Sequence, residues 1–199
     1  AVMNARDSSN QTRDLRVDDE GRLLTSSGEA LVATNGDTFR ADGATTINYN
    51  ADNIVVAGEG RQWLGGGNAS DRLYAGAGDD VLSGNGGDDL LMAGAGNDQV
   101  YGGPGGDVLF GGEGDDALDA GEGDDLMLGG AGNDTLNGGA GTNTLIGGAG
   151  DDLLTAGTIY VFARGDGHDT LRPSWGPGPA SAVVRFDGLT GEDIDVALV

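Results

Sequence analysis

The sequence predicts an all-β fold, a right-handed parallel β-solenoid of two parallel sheets with capping segments at its ends. Three observations predict it: a nine-residue repeat that keeps its register over ten units, a glycine-rich loop in each unit, and one apolar residue in each unit. The chain has 199 residues, of which 41 are Gly. A short strict repeat of this kind is typical of solenoids, in which each coil contacts only its neighbours.

The composition narrows the classes of partner. The chain has 33 acidic residues against 10 basic residues, all of them Arg, and a net charge of -23. Such a charge repels nucleic acid and anionic membranes and attracts cations, of which calcium is the first to consider. The absence of Cys excludes disulfides, thiolate metal sites and cysteine nucleophiles. No apolar run is long enough for a membrane span, and residues 1–10 do not resemble a signal peptide, so we expect any export signal to lie elsewhere.

The repeat begins at Gly66 and restarts every nine residues. Position six is Asp in nine of the ten units, and its members are Asp71, Asp80, Asp89, Asp98, Asp107, Asp116, Asp125, Asp134, Asn143 and Asp152. Position eight is apolar in every unit, and its members are Leu73, Leu82, Leu91, Val100, Leu109, Leu118, Met127, Leu136, Leu145 and Leu154.

Each unit is predicted to form a loop of six residues followed by a strand of three. Glycine at positions one, two and four permits positive backbone angles and close approach of carbonyl groups. Because neighbouring residues of a strand point to opposite faces, position eight is expected to point inward. Two units form a coil of 18 residues, and stacked coils pair their strands into two parallel sheets.

This arrangement sorts the position-six residues into two columns, one along each edge. The first column contains Asp71, Asp89, Asp107, Asp125 and Asn143, and the second contains Asp80, Asp98, Asp116, Asp134 and Asp152. Neighbours within a column are expected to lie one strand spacing, about 4.8 Å, apart. Carboxylates at that distance repel unless a cation lies between them, and carboxylate and carbonyl oxygens are the ligands that calcium takes in sixes or more.

The units resemble the GGxGxDxUx nonapeptides of RTX proteins, the haemolysin-type calcium-binding repeats of bacterial type I secretion substrates, over residues 66–155. The resemblance implies a parallel β-roll in which the position-six side chains and loop carbonyls hold about eight calcium ions, four per column. The carbonyl ligands that it implies belong to Gly76, Gly78, Gly94, Gly96, Gly103, Gly105, Gly112, Gly114, Gly121, Gly123, Gly130 and Gly132. Because Asn143 departs from the pattern, we expect the weakest interior site between Asp125 and Asn143.

A charge count agrees with this number of ions. Residues 66–155 contain 17 acidic residues and one basic residue, Arg72, which leaves a charge of -16. Eight calcium ions carry +16.

The flanking sequence suggests four segments. We expect an N-terminal flanking or capping segment at 1–47, metal-poor degenerate coils at 48–65, the calcium-binding β-roll at 66–155 and a C-terminal cap at 156–199. In the cap, Asp169 follows Asp152 by 17 residues instead of 18 and could close one further metal site.

Two outer surfaces raise further questions. Position nine on one sheet is apolar throughout, and its members are Tyr74, Met92, Phe110, Leu128 and Ile146. We expect the flanking segments to pack across this face, with a partner or a dimer as the alternative. Trp63, Trp175 and Tyr49 could stack on sugar rings, although we expect them to pack in the core or the caps.

These observations predict a calcium-binding module rather than an enzyme. One apolar residue per unit is too little to offset the entropy of ordering a glycine-rich chain, so the metal-free repeat is expected to be disordered and to fold on calcium binding. The lone His168 lies at a variable position, there is no HExxH motif, and a P-loop is excluded because the chain has no Lys.

The resemblance implies a secreted, extracellular module that folds after type I secretion and belongs to a larger polypeptide. We expect no nucleic-acid partner and no membrane contact for this part. The alternatives are a carbohydrate-binding module attached to a polysaccharide-modifying enzyme, or the C-terminal part of a toxin or adhesin.

Overall fold

The fold is known from a computed structural model of the chain. It describes residues 52–172 and 182–188 in full, and the backbone of the strands at 2–6, 12–17, 23–24, 38–41 and 44–46. Every regular element in these ranges is a β-strand. The same ranges contain no helix of the length and apolarity that a membrane span requires.

Three strands near the N-terminus form an antiparallel sheet of their own. The strands are numbered along the chain, and this sheet contains β1 (Val2–Arg6), β2 (Thr12–Val17) and β3 (Leu23–Leu24).

The remaining strands form two parallel sheets that alternate along the chain. The nine-stranded sheet contains β4 (Thr38–Ala41), β6 (Ile54–Ala57), β8 (Arg72–Ala77), β10 (Leu90–Ala95), β12 (Val108–Glu113), β14 (Leu126–Ala131), β16 (Thr144–Ala149), β18 (Ile159–Ala163) and β20 (Val183–Asp187). The eight-stranded sheet contains β5 (Ala44–Thr46), β7 (Trp63–Gly65), β9 (Val81–Ser83), β11 (Gln99–Pro104), β13 (Ala117–Glu122), β15 (Thr135–Asn137), β17 (Leu153–Thr155) and β19 (Thr170–Arg172). The predicted solenoid of two parallel sheets is confirmed.

The strand register follows the 18-residue coil. Leu91 pairs with Leu109, and Leu109 pairs with Met127, so position eight of one coil lies beside position eight of the next. Because the pairing is parallel and in register, every other position of the repeat is also stacked in a row along the solenoid.

The predicted strand length of three residues is correct for β9, β15 and β17 and too short for seven others, which have six residues. In the longer strands the pairing continues through positions two and three of the following unit, as in Gly94 with Gly112. At Gly112 the backbone angle φ is 132°, and an added Cβ would collide with the carbonyl oxygen of Gly94. Glycine is therefore required here, because it lets the chain turn while coil-to-coil pairing continues.

The core is a single file of side chains between the two sheets. The ten position-eight residues from Leu73 to Leu154 are all buried, as predicted. Where the next unit is one residue short, Tyr160 pairs with Leu145 and continues the file. Its hydroxyl accepts a hydrogen bond from the Gly157 N–H at 2.9 Å, so the large ring closes the core without an unpaired polar group.

The described flanking strands extend the sheets along the solenoid axis. On one side β4 and β5 pair with β6 and β7, and on the other β18, β19 and β20 continue the two sheets. The boundaries of the four predicted segments stay predictions.

The apolar outer face belongs to the nine-stranded sheet. Phe110 and Leu128 are partly buried on it, and Met92 is 38% exposed. The expectation that Trp63 packs in the core or a cap is wrong, because its side chain is 57% exposed on the outer face of β7. Trp175 and Tyr49 lie outside the described residues.

The single-file core predicts a large effect of truncation at its centre. Leu109 is fully buried, so Leu109→Ala is expected to lower the free energy of unfolding by about 2–5 kcal/mol. Urea denaturation in saturating calcium measures it, with Met92→Ala on the outer face as the matched control. Equal losses for the two variants would contradict the assignment of the core.

Candidate metal centre

The position-six residues are buried in two columns along the edges of the solenoid. All ten are at most 3% exposed. In each column the backbone N–H of one position-six residue donates to Oδ1 of the position-six residue in the following coil. In the first column, Asp71 N donates to Asp89 Oδ1 at 2.7 Å, and the series continues at 2.8, 2.8 and 2.9 Å as far as Asn143. In the second column the distances from Asp80 to Asp152 are 2.7, 2.8, 2.8 and 2.7 Å.

Both columns continue past the repeat. Asn53 N donates to Asp71 Oδ1 at 2.7 Å, and Gln62 N donates to Asp80 Oδ1 at 2.6 Å. At the other end, Asp152 N donates to Asp169 Oδ1 at 3.0 Å. The structure therefore brings Asp169 into the second column although its spacing is 17 residues.

The second carboxylate oxygen has no such partner. Among the described side chains, Oδ2 is buried without a hydrogen bond in eight aspartates: Asp80, Asp89, Asp98, Asp107, Asp116, Asp125, Asp134 and Asp152. Asp71 differs, because its Oδ2 accepts a hydrogen bond from Gly67 N at 2.6 Å. A buried oxygen without a partner is costly and indicates a missing ligand.

Each of these oxygens lies close to a main-chain carbonyl of the next coil. A Cβ added at Gly66 would lie 2.5 Å from Asp71 Oδ2 and 2.6 Å from the carbonyl oxygen of Gly84. At Gly111 it would collide with Asp116 Oδ2 and with the carbonyl oxygen of Gly129. Carboxylate and carbonyl oxygens converge in the space that a position-one side chain would fill.

The position-one carbonyls were missed by the sequence reasoning, which named positions two and four. The carbonyl oxygen of Gly121, at position two, accepts a hydrogen bond from Ala140 N at 2.8 Å and so takes part in coil-to-coil pairing. A sequence signal for position one exists, because that residue is Gly or Ala in all ten units. The assignment of the predicted glycine carbonyls as ligands stays a prediction.

Asn143 shows what a neutral side chain does in this position. Its Nδ2 donates to the carbonyl oxygen of Gly138 at 2.6 Å, and its Oδ1 accepts from Asp125 N. Gln62 behaves in a similar way, donating from Nε2 to the carbonyl oxygen of Glu59 at 3.2 Å. An amide thus satisfies a loop carbonyl through its own N–H, where a carboxylate brings a second oxygen.

Burial makes the columns basic. Desolvation raises the pKa of Asp89 and Asp116 to about 7, and neighbouring carboxylates raise it further while a backbone N–H bond opposes the rise. The same causes raise the pKa of Asp98, Asp107, Asp134 and Asp169 to about 6. Desolvation also raises the pKa of Asp80, Asp125 and Asp152. Without a cation these carboxyls therefore hold protons at much higher pH than ordinary aspartates.

Side chains alone do not form a cage. Within the part of the chain that the structure describes, no three acidic or histidine side chains converge on one point. A cation in these columns therefore depends on main-chain oxygens, which suits a hard ion such as calcium.

Comparison with known families identifies the cation. The model of the RTX calcium-binding nonapeptide repeat matches residues 65–100, 101–136 and 128–158. The chain is an RTX protein. Its repeats bind calcium, and the buried oxygen pairs fit that ion. No curated protein and no solved structure showed a significant match to the chain.

The raised pKa values predict that acid favours the metal-free fold. A carboxyl whose pKa is raised by folding stabilises the fold fully below about pH 4, and this contribution is lost as pH rises through about 6 to 7. Calcium-stripped protein is expected to gain strand content by circular dichroism when pH falls from 7.5 to 4.5. A spectrum that does not change with pH would contradict this view of the columns.

The Asn143 amide predicts a gain of metal binding on substitution. Asn143→Asp replaces the N–H donor by an oxygen, so the RTX repeat is expected to bind one more calcium ion by isothermal titration calorimetry. In chelator the variant is expected to be no more structured than the natural chain, because the bond to Gly138 is lost. Asn137→Asp, which adds the same charge on the outer face of β15, is the control and leaves the stoichiometry unchanged.

Proposed function

We propose that the chain is the β-roll module of a secreted RTX protein, which is disordered at low calcium and folds when calcium binds after type I secretion. The observation that carries the proposal is the set of eight buried, partnerless Oδ2 atoms. Folding without a cation would bury these oxygens beside one another at a free-energy cost that the narrow core does little to offset.

Calcium binding and folding are coupled because each site spans two coils. Asp116 Oδ2 and the Gly129 carbonyl oxygen come from units 18 residues apart and meet only when the coils are stacked. In the unfolded chain these oxygens are separate, so the binding free energy becomes folding free energy. The position-six carboxylates and position-one carbonyls would hold calcium, and the ion would neutralise the charge of the columns.

The number of partnerless oxygens supports a total of about eight ions. Five belong to the second column, from Asp80 to Asp152, and three belong to the first column, Asp89, Asp107 and Asp125. This division differs from four per column, because Asp71 Oδ2 is already hydrogen-bonded and Asn143 has an amide.

The expected affinity supports a role outside the cell. Extracellular calcium modules bind with Kd values of about 0.1–1 mM, well above cytosolic calcium. The module would then remain unfolded in the cell and fold after export. RTX repeats are structural calcium-binding elements, and we assign this chain no catalytic activity of its own and place it within a larger polypeptide.

Calcium removal tests the proposal directly. In chelator the chain is expected to show little strand signal by circular dichroism and an expanded radius by size-exclusion chromatography, and millimolar calcium is expected to restore both. Magnesium, which requires stricter octahedral geometry, is the control ion and is expected to have little effect. A compact, strand-rich chain in chelator at neutral pH would refute calcium-dependent folding.

A second candidate function is binding of a neutral polysaccharide. Trp63 and Tyr101 are 57% and 44% exposed on the outer face of the eight-stranded sheet. Exposed aromatic rings provide apolar surfaces on which sugar rings can stack. The face around them includes Val81, Ser83 and Gln99 and is uncharged, unlike the acidic edges.

Affinity electrophoresis in gels containing neutral polysaccharides tests this candidate. Retardation by one polymer that Trp63→Ala abolishes would support it, and Met92→Ala on the opposite sheet is the matched control. Equal mobility in all gels would rule this function out for the sheet face.

A further inference from the structure

The position-five residues form a second series of hydrogen bonds outside the calcium columns. On the edge of the second column they are Asp79, Asn97, Asp115, Asn133, Asp151 and His168. Each backbone N–H in this series donates to Oδ1 of the preceding coil, at 3.0, 3.0, 2.7, 2.9 and 2.9 Å. We call this series the outer ladder.

The outer ladder runs opposite to the inner one. A position-five N–H donates to the preceding coil, as from Asp115 to Asn97, whereas the adjacent position-six N–H donates to the following coil, as from Asp116 to Asp134. Consecutive peptides of one loop are therefore tied to the coils on both sides. This fixes the peptide that carries the position-six carboxylate.

The composition of the outer ladder shows which property is required. Asp and Asn alternate strictly from Asp79 to Asp151, and both accept through Oδ1 with similar distances. The requirement is therefore an acceptor oxygen and not a charge. Alternation places the carboxylates two coils apart, which halves their Coulomb repulsion relative to neighbouring coils.

The other edge has the ladder only at alternate coil interfaces. Its position-five residues are Ser70, Asp88, Gly106, Asp124 and Thr142. Among the described residues on this edge, the bonds of this kind run from Gly106 N to Asp88 Oδ1 at 2.8 Å and from Thr142 N to Asp124 Oδ1 at 2.7 Å. Gly106 has no side chain with which to accept from Asp124 N.

We infer that the position-five side chains are positioning residues for the calcium loops, which act through an acceptor oxygen and hold the second edge more completely than the first. The inference rests on the proposed calcium-dependent fold. It assigns a role to residues that do not need to bind metal, and it predicts that the missing connection at Gly106 can be added.

Gly106 is a suitable place for that addition. An added Cβ would lie 3.4 Å from the Asp124 carbonyl oxygen and 3.6 Å from Asp88 Oδ1, which is ordinary contact. Gly106→Asn is expected to supply the acceptor for Asp124 N, and Gly106→Ala is the matched control for the loss of glycine flexibility. In calcium, the folding equilibrium constant from urea denaturation should be about fivefold higher for Asn than for Ala, as for one net hydrogen bond.

Hydrogen exchange of the Asp124 amide, measured by NMR in calcium, gives a local readout. Slower exchange in Gly106→Asn than in Gly106→Ala is expected, with no difference at amides of the opposite edge. Equal exchange and equal stability in the two variants would overturn the inference.

Removal of one acceptor provides the reciprocal test. Asn133→Ala deprives Asp151 N of its acceptor and is expected to lower the folding constant about fivefold and to speed exchange of that amide. Asn133→Asp keeps the acceptor and should restore both in high salt, where repulsion from Asp115 and Asp151 is screened. Failure of Asp to rescue in high salt would overturn the inference, whereas failure of the natural chain to fold with calcium would instead refute the proposed function.

Discussion

The structure depends on pairs of oxygens that face each other across neighbouring coils. One belongs to a buried aspartate and the other to the main chain of the coil that follows, as for Asp116 and Gly129. The core between the sheets is one side chain wide and contributes little for each residue ordered. Calcium between such oxygens converts the main source of repulsion in the fold into its main source of cohesion.

Two ladders of side-chain hydrogen bonds prepare this arrangement. The inner ladder uses one oxygen of each position-six carboxylate and leaves the other for metal. The outer ladder ties the adjacent peptide to the opposite neighbour. Because both use Oδ1 as an acceptor, both can form before metal binds, and they differ in their tolerance of Asn. Asn alternates with Asp in the outer ladder, but at Asn143 it removes an oxygen that calcium would contact.

Much of this could be predicted from the sequence, because a strict period fixes which residues share a row. Two units of nine residues make one coil, so the columns of Asp71 and Asp80 and the file of leucines follow from the period alone. Pairing through Gly94 and Gly112, which lengthens the strands, could not be read from the pattern, because glycine there was assigned to loops. The position-one carbonyls are main-chain atoms without a residue code, and the outer ladder occupies a position that varies in the sequence. Trp63 was expected inside because it is large and apolar, but its strand position points outward.

The most direct test of the central claim is a crystal structure of the calcium-bound chain, with the ions located by their anomalous scattering. Calcium peaks are predicted along both edges between successive coils, each within about 2.3–2.6 Å of a position-six Oδ2 and a position-one carbonyl oxygen. More peaks are predicted on the edge from Asp80 to Asp152 than on the edge from Asp71 to Asn143. Edges without calcium, in a roll that is nevertheless folded, would contradict the account.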